Sequence, residues 1–281
     1  MDKLLLVDGS NLLFQMFFGM PARIVNRSGK AVHGTMGFVG ALLKIIRMTE
    51  PTHIAVLFDG EHENMRTALN ADYKANRTDY SERPEEQSPF TQLPDIYTAL
   101  DYLKIRHAET SVCEVDDWIA GYAFTHGNDT KIIISSFDSD YFQLLTENVS
   151  VLRYRGAKTV ICTYEYTFEH FGIAPTQYAD FKSLVGDVSD NIKGADKIGP
   201  KTAARLLDKF TTLDKIIENA EQIERQSIRE SIITNKERLR TNYALIKLNN
   251  CTQLPFKFEE LAYSDVRAST LEVLKGIGLL P

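Results

Sequence analysis

The chain has 281 residues, 43% of them hydrophobic and 25% charged, enough for one large or two smaller domains around a substantial core. A net charge of −6 argues against indiscriminate binding to nucleic acid unless positive charge is gathered in local patches. The three cysteines, Cys113, Cys162 and Cys251, form no CxxC, which argues against a disulfide framework or zinc site and favours a reducing, cytoplasmic setting.

In chain order, the first apolar stretch, in MDKLLLVDG, is too short for a signal peptide, and no later run reaches transmembrane length. Residues 1–60 read β–α–β. The strand Leu4-Leu5-Leu6-Val7-Asp8 precedes a helix with Leu12, Leu13, Met16 and Phe17 on one face, and Gly34 to Ile46 reads as a buried helix. A second strand is Ile54-Ala55-Val56-Leu57-Phe58-Asp59. The stretch from Met65 to Pro94 is polar, basic at its start, and punctuated by Pro84, Pro89 and Pro94. Such a segment inside an α/β domain is functional or, as for Ser81 to Ser88, a solvated loop. A helix is predicted around Leu93–Leu103 and a short strand near Ile105–Ala108. Ser111-Val112-Cys113-Glu114 fits a capping box opening a helix that carries Asp116 and Asp117, with Glu114 and Asp117 on one face. A third strand, Ile132 to Ser136, runs on through Phe137 to Asp138. From residue 172 to about Leu248 the pattern is helical, and Leu254 to Pro281 carries no recognisable motif.

Near-continuous apolar runs suit strands buried on both faces, as in a parallel sheet, where ligands bind beyond the carboxyl ends. Asp8, Asp59 and Asp138 stand at three such ends. Glu114, Asp116, Asp117, Asp140, Asp187 and Asp190 accompany them. Like charges repel by roughly 1 kcal/mol per pair at about 4 Å even in water, so this crowding implies bound cations. Oxygen donors without His or Cys companions point to Mg²⁺ or Mn²⁺. His33, His53, His62, His107, His126 and His170 fall in no metal-ligand spacing. Acids at a helix start are the ordinary reading of one such pair, but that reading strains to cover every Asp-terminated strand. Further on, Lys193, Lys197, Lys201 and Arg205 surround a Gly/Lys-rich turn that opens a helix at Pro200 or Lys201. This is the form of a helix-hairpin-helix gripping a nucleic-acid backbone without reading sequence.

The segments LLLVDGSN, FDGEHENMRTALNADYKANR, CEVDDWIAGYA, SSFDSDYFQLL and GDVSDNIKGADKIGPKTAARLL resemble the 5′-nuclease (flap endonuclease) family. That family includes bacterial and phage enzymes and the 5′-nuclease domain of bacterial DNA polymerase I. The motifs run in family order over residues 4–207. No polymerase domain follows them, as in a stand-alone nuclease.

The resemblance implies an α/β fold: a mostly parallel central sheet flanked by helices (a PIN-like core), a helical arch and a C-terminal helix-hairpin-helix region. It implies a nuclease core at 1–172 with an arch segment at about 66–95. A helical DNA-binding region would follow at 173–281, its helix-hairpin-helix at about 184–207. Asp8, Asp59, Glu114 and Asp116 match the positions holding one metal. Asp116 would bridge to a second held with Asp138, Asp140 and Asp187, while Asp117 and Asp190 would act through bound water.

Two Mg²⁺ ions are implied, with Mn²⁺ as a substitute, and K⁺ at the helix-hairpin-helix. Tyr73-Lys74-Ala75-Asn76-Arg77 matches the family's Y-K-x-x-R, in which Lys74 and Arg77 clamp phosphate and act with Asp116 in catalysis. Arg66, Lys193, Lys197, Gly199, Lys201, Thr202 and Arg205 would contact DNA. Tyr73 would stack on a base or pack in the core.

Two departures stand out: Phe137 where the family has Gly, and Lys197 where its hairpin has the first Gly. Glu82, Glu85 and Glu86 flank the arch with acid. The implied activity is that of a monomeric structure-specific 5′-nuclease. It would act as 5′ flap endonuclease and 5′→3′ exonuclease on flaps, nicks and overhangs in DNA replication and repair. Two other readings stand beside it: a nuclease for RNA primers in RNA–DNA hybrids, and a catalytically impaired junction-binding protein.

Overall fold

Leu4 to Val7 are completely buried, and their alternation builds two cores. The computed structural model describes residues 1–60, 65–80, 83–111, 113–264 and 267–281. His62, Ser81, Glu82 and Val112, named above, lie outside the described residues. The elements are β1 (Lys3–Asp8), α1 (Gly9–Gly19), α2 (His33–Thr49), β2 (His53–Phe58), α3 (Met65–Leu69), α4 (Leu93–Tyr102) and β3 (Arg106–Glu109). Then come α5 (Val115–His126), β4 (Lys131–Ser135), β5 (Val149–Arg153), β6 (Val160–Cys162), α6 (Tyr166–Phe171) and α7 (Tyr178–Val185). A short hairpin of β7 (Gly186–Asp187) and β8 (Ile192–Lys193) leads to α8 (Pro200–Phe210), α9 (Leu213–Glu218), α10 (Gln226–Ile246) and α11 (Thr270–Gly276).

The main sheet has the order β3-β2-β1-β4-β5-β6, parallel except for β6. β1 is central: Leu5 registers with Ile54 on one side and Ile133 on the other. The chain winds from β1 outward to β2 and β3, then crosses to β4 on β1's other side. The switch point therefore lies between β1 and β4, where such sheets open a crevice. Leu5, Val7, Ile54 and Val56 face α1, α2 and α4 through Leu13, Phe38, Leu42 and Ile96. Leu4, Leu6, Ile132 and Ile134 face α5 and the C-terminal helices through Ile119, Tyr122, Leu184 and Leu207. β1 to β4 and the helices α2, α4 and α5 thus fall where the sequence periodicity puts them, whereas β5 and β6 extend the sheet without having been read from the sequence.

Three elements depart from the expectation. The stretch matched to a helical arch holds little helix among its described residues. It has the five-residue α3 and two 3₁₀ turns at Glu85–Gln87 and Pro89–Gln92. Three prolines there deny the backbone the N–H groups a longer helix needs. The capping box at Ser111 does not form. The N-cap of α5 is Glu114, whose side chain makes no cap, and the Asp59 carboxylate accepts the Val115 N–H instead (3.0 Å).

The C-terminal segment, finally, does not stay with the helical half. Tyr263 donates its N–H to the Thr52 carbonyl (2.8 Å), and α11, capped reciprocally by Ser269 and Glu272, buries Val273 in the core of α2 and α4. The two chain halves are thereby tied back to back along α5, where Trp118 and Tyr122 donate to the carbonyls of Gln253 and Phe256.

Candidate active site

At the carboxyl end of the sheet opens a cavity of about 1080 Å³. Asp8, Asp59, Glu114, Asp116 and Asp138 line it, with Lys74 and Arg77 at its rim and Phe14, Tyr80 and Phe90 on one wall. Each acid is placed by the end of an element. Asp8 ends β1 and caps α1, accepting the Asn11 N–H (2.9 Å), and Ser136 Oγ donates to its other oxygen (2.9 Å). Asp59 follows β2, its N–H bonded to Ser10 Oγ (2.9 Å). Asp116 lies in the first turn of α5 and accepts from the Tyr141 hydroxyl (2.6 Å). The Asp138 turn is held by its N–H on Ser136 Oγ (3.0 Å) and by the Asn11 side chain, which accepts the Phe137 N–H (3.0 Å). Phe137 is not among the residues with positive φ, so its side chain strains nothing where the family has Gly.

The nine acids named from the sequence divide into two groups. Five meet cations of the protein itself. Glu114 accepts from Arg66 (2.7 Å) and Lys74 (2.7 Å), and Asp117 holds Arg66 by both oxygens (2.8 and 3.0 Å). Asp190 accepts from Arg77 (2.7 Å), and Lys182 lies between Asp140 and Asp187, bonded to both. Against burial, which would raise it, Lys182 holds Asp187 below its ordinary value. Asp8, Asp59, Asp116 and Asp138 have no ion-pair partner among the described residues. Burial, then the charge of Asp59, pushes Asp8 up to about 7. Burial raises Asp59, and burial with the charge of Asp138 holds Asp116 well above the carboxylate range. Carboxylates with no cation of their own, gathered in a roomy pocket whose lining has no His or Cys, are the donor set a hard divalent cation requires. A second grouping brings oxygens of Asp140, Asp187 and Asp190 within 4.8 Å of one another, beside Lys182.

Several sequence assignments are corrected here. Asp117 does not line the cavity; Arg66 and the Asn249 N–H (2.9 Å) engage it on the other side. Arg66 and Tyr73, expected at DNA, are buried: Arg66 beneath Glu114, Tyr73 against Ala179, Leu245 and Ile246. Core packing is thus the outcome for Tyr73. Lys182, Tyr141 and Ser136 are site residues that sequence reasoning missed. Lys182 carried one signal, a lysine inside the apolar run of α7 just ahead of GD.

The Y-K-x-x-R segment is stitched to the GDVSDN loop. Lys74 donates its N–H to the Asp190 carbonyl (3.0 Å), Asn76 donates to the Val188 carbonyl (2.9 Å), and Asn191 donates to the Asp72 carbonyl (2.9 Å). The loop itself depends on Gly186, with φ 92°, where a Cβ would stand 2.6 Å from the Gly194 nitrogen. At α8, Lys193, Lys197, Gly199, Lys201 and Arg205 are exposed and Thr202 is half-buried, while Ala203, Leu206 and Leu207 anchor the helix. Lys197 has φ 64°, the left-handed conformation its family's glycine would take freely.

Two family models cover nearly all of the chain: 5′-3′ exonuclease, N-terminal resolvase-like domain, over residues 3–172, and 5′-3′ exonuclease, C-terminal SAM fold, over residues 173–269. The chain belongs to the 5′-3′ exonuclease family. It is 34% identical over 268 residues to a DNA polymerase I of Streptococcus pneumoniae, covering 93% of this chain and 30% of that protein. It is 31% identical over 263 residues to a 5′-3′ exonuclease of Aquifex aeolicus, covering 93% of this chain and 86% of that one. The chain thus spans about 30% of the length of the polymerase relatives.

Among solved structures it superposes on the bacteriophage T5 D15 protein co-crystallised with metal ions. The TM-score is 0.71 at 24% identity, over 87% of this chain and 89% of that one. It also superposes on the catalytic core of Rad2 in complex with DNA substrate, with TM-score 0.63 at 14% identity, over 100% and 88%. At these identities the likeness is one of fold: a mostly parallel sheet flanked by helices, followed by a helical region. No helix of the described residues is long and apolar enough to cross a membrane.

Proposed function

We propose that this chain is a divalent-metal-dependent 5′-nuclease that hydrolyses phosphodiester bonds in branched DNA, as flap endonuclease and 5′→3′ exonuclease. The observation that carries this reading is the group of four aspartates without an ion-pair partner among the described residues, Asp8, Asp59, Asp116 and Asp138, which line one open cavity together with Lys74. Family membership supports it, and so do the relatives named for exonuclease activity. Two Mg²⁺ ions, replaceable by Mn²⁺, would be held by Asp8, Asp59, Glu114, Asp116 and Asp138, with Asp140, Asp187 and Asp190 nearby. Bound divalent metal would supply an activated water and charge stabilisation at the phosphate.

The protein's own residues do the rest. Tyr141 and Ser136 hold Asp116 and Asp8 in place. Lys74 and Arg77 place the scissile phosphate and favour its extra negative charge in the transition state. Lys193, Lys197, Lys201 and Arg205 would grip the duplex backbone without reading sequence, with K⁺ as a companion cation at the turn before α8. The substrate is DNA with single-strand/duplex junctions, met by a monomer in the cytoplasm. Residues 1–172 carry the chemistry and the following helices the grip.

The test is single-turnover cleavage of a 5′-labelled flap with Mg²⁺ and with EDTA, beside binding of the intact flap in Ca²⁺. Wild type is expected to cut near the junction only with metal. Lys74→Ala should cut on the order of 10²-fold more slowly while binding within a few-fold. No metal-dependent cleavage would end the reading, and equal losses of rate and affinity would make Lys74 a binding contact. Cleavage confined to an RNA–DNA hybrid would instead favour the primer nuclease.

A further inference from the structure

Arg66 has every donor occupied. Nε donates to the Leu245 carbonyl (2.8 Å). Nη1 donates to Glu114 Oε2 (2.7 Å) and to Asp117 Oδ2 (3.0 Å). Nη2 donates to Asp117 Oδ1 (2.8 Å) and to the Lys247 carbonyl (3.3 Å). These bonds use all five N–H groups of a guanidinium, and the residue is only 7% exposed. A phosphate would have to displace a buried bond to reach it. Its partners converge on one object. Tyr73 donates its hydroxyl to the same Glu114 Oε2 (3.2 Å), while Oε1 accepts from Lys74 Nζ (2.7 Å) where Glu114 lines the cavity. Asp117 grips the guanidinium by its fork, and the carbonyls at the end of α10 fix its far edge.

We propose that Arg66 is a positioning residue of the metal centre. It locks the Glu114 carboxylate so that one defined oxygen faces the metals, with Asp117 and the α10 terminus as its anchors. Asp117 then acts through Arg66 and not through metal-bound water. The inference rests on the metal-nuclease reading above, because it assigns Glu114 to the metals. A lysine cannot replace the fork, since one ammonium cannot reach two carboxylates and two carbonyls at these angles. Second-layer partners of metal ligands typically change metal affinity by about 10- to 100-fold.

The experiment measures Mn²⁺ affinity from the free-ion EPR signal, with no DNA and no turnover, for wild type, Arg66→Met, Arg66→Lys and Tyr73→Phe. Flap affinity in EDTA and the kcat/KM split are measured beside it. Arg66→Met is expected to bind Mn²⁺ at least about 10-fold more weakly, with kcat lowered and flap affinity in EDTA within about threefold. Tyr73→Phe, which removes one hydroxyl from a packed ring, should weaken Mn²⁺ in the same direction by about two- to threefold. Arg66→Lys should not restore wild-type affinity.

Unchanged Mn²⁺ affinity in a folded Arg66→Met protein overturns the proposal, as does full rescue by lysine, which would mean that charge alone is needed. So does a flap affinity that falls with a salt slope reduced by about one, the mark of a lost phosphate contact. Should Arg66→Met fail to fold, Tyr73→Phe decides by the same titration. A wild type that binds Mn²⁺ normally but never cuts DNA would refute the nuclease reading and leave the positioning role standing.

Discussion

Lys182 is the only lysine among the described residues that is almost fully buried, and it lies between two carboxylates. Removing one partner of a buried ion pair costs on the order of 3–5 kcal/mol, because the charge left behind has lost both water and counter-ion. Lys182→Met should therefore lower the melting temperature in EDTA by on the order of 10 °C. Mn²⁺ should return more of that loss than it adds to wild type, since Asp140 and Asp187 are released to a cation. Thermal scans with and without Mn²⁺ check this, and equal metal increments in the two proteins would count against it. The same residue marks what could be read in advance. Acids at strand ends were legible, because an aspartate after an apolar run must meet the crevice. Their protein cations were not. Lys182 sits in a helix buried almost all round, where its charge calls for a partner without naming one, and Arg66 looks like a phosphate binder when only its charge is known. Which carboxylates have their own cations depends on distances that join residues 66 to 117 and 140 to 182, and no local pattern carries them.

At the scale of elements, periodicity found β1 to β4 and the helices α2, α4 and α5 because burial on one or two faces dictates it, and it passed over the short β5 and β6. It failed where turns rule. The arch segment is held by its bonds to the GDVSDN loop, not by its own repeat, and α11 was overlooked although Ser269-Thr270-Leu271-Glu272 carries a capping-box signal. The turn before α8 combines both kinds of information. Lys197 sits at φ 64°, which costs a residue with a side chain roughly 1 kcal/mol or more, yet it adds an exposed positive charge beside the helix start. Lys197→Gly should separate the two effects. Stability should stay level or rise by up to about 1 kcal/mol, because relief of strain outweighs the added freedom of the unfolded chain. Duplex affinity should fall, and the slope of log affinity against log salt should shrink by about 0.9, as for Lys201→Ala. A weaker fold with an unchanged salt slope would mean that Lys197 is a packing residue and that the duplex grip lies elsewhere.

For the whole molecule, the acids gathered at the sheet's carboxyl end make stability, pH and metal a single linked property. Asp8 titrates near 7 in the fold against 3.8 for an ordinary aspartate, and burial moves Asp59 and Asp116 in the same direction. Between those values the folded chain holds more protons than the unfolded one. The contribution of Asp8 is therefore full below about pH 4, declines as pH rises through the window, and is lost above about pH 7, and Asp59 and Asp116 add to it with the same sign. Asp187 is shifted the other way, but it titrates below its ordinary value and so outside that window. Divalent metal requires the ionised carboxylates, so its stabilising effect must grow over the same range. The protein in EDTA should melt at a higher temperature near pH 5.5 than near pH 8. Saturating Mn²⁺ should close or reverse that gap, adding little at the lower pH and most at the higher. Asp8→Asn, which cannot ionise, should flatten the EDTA profile and reduce the gain from metal at pH 8. Scans at half-unit pH steps decide the matter. If wild type and Asp8→Asn run parallel in EDTA, the strand-end aspartates are not where folding and metal binding meet.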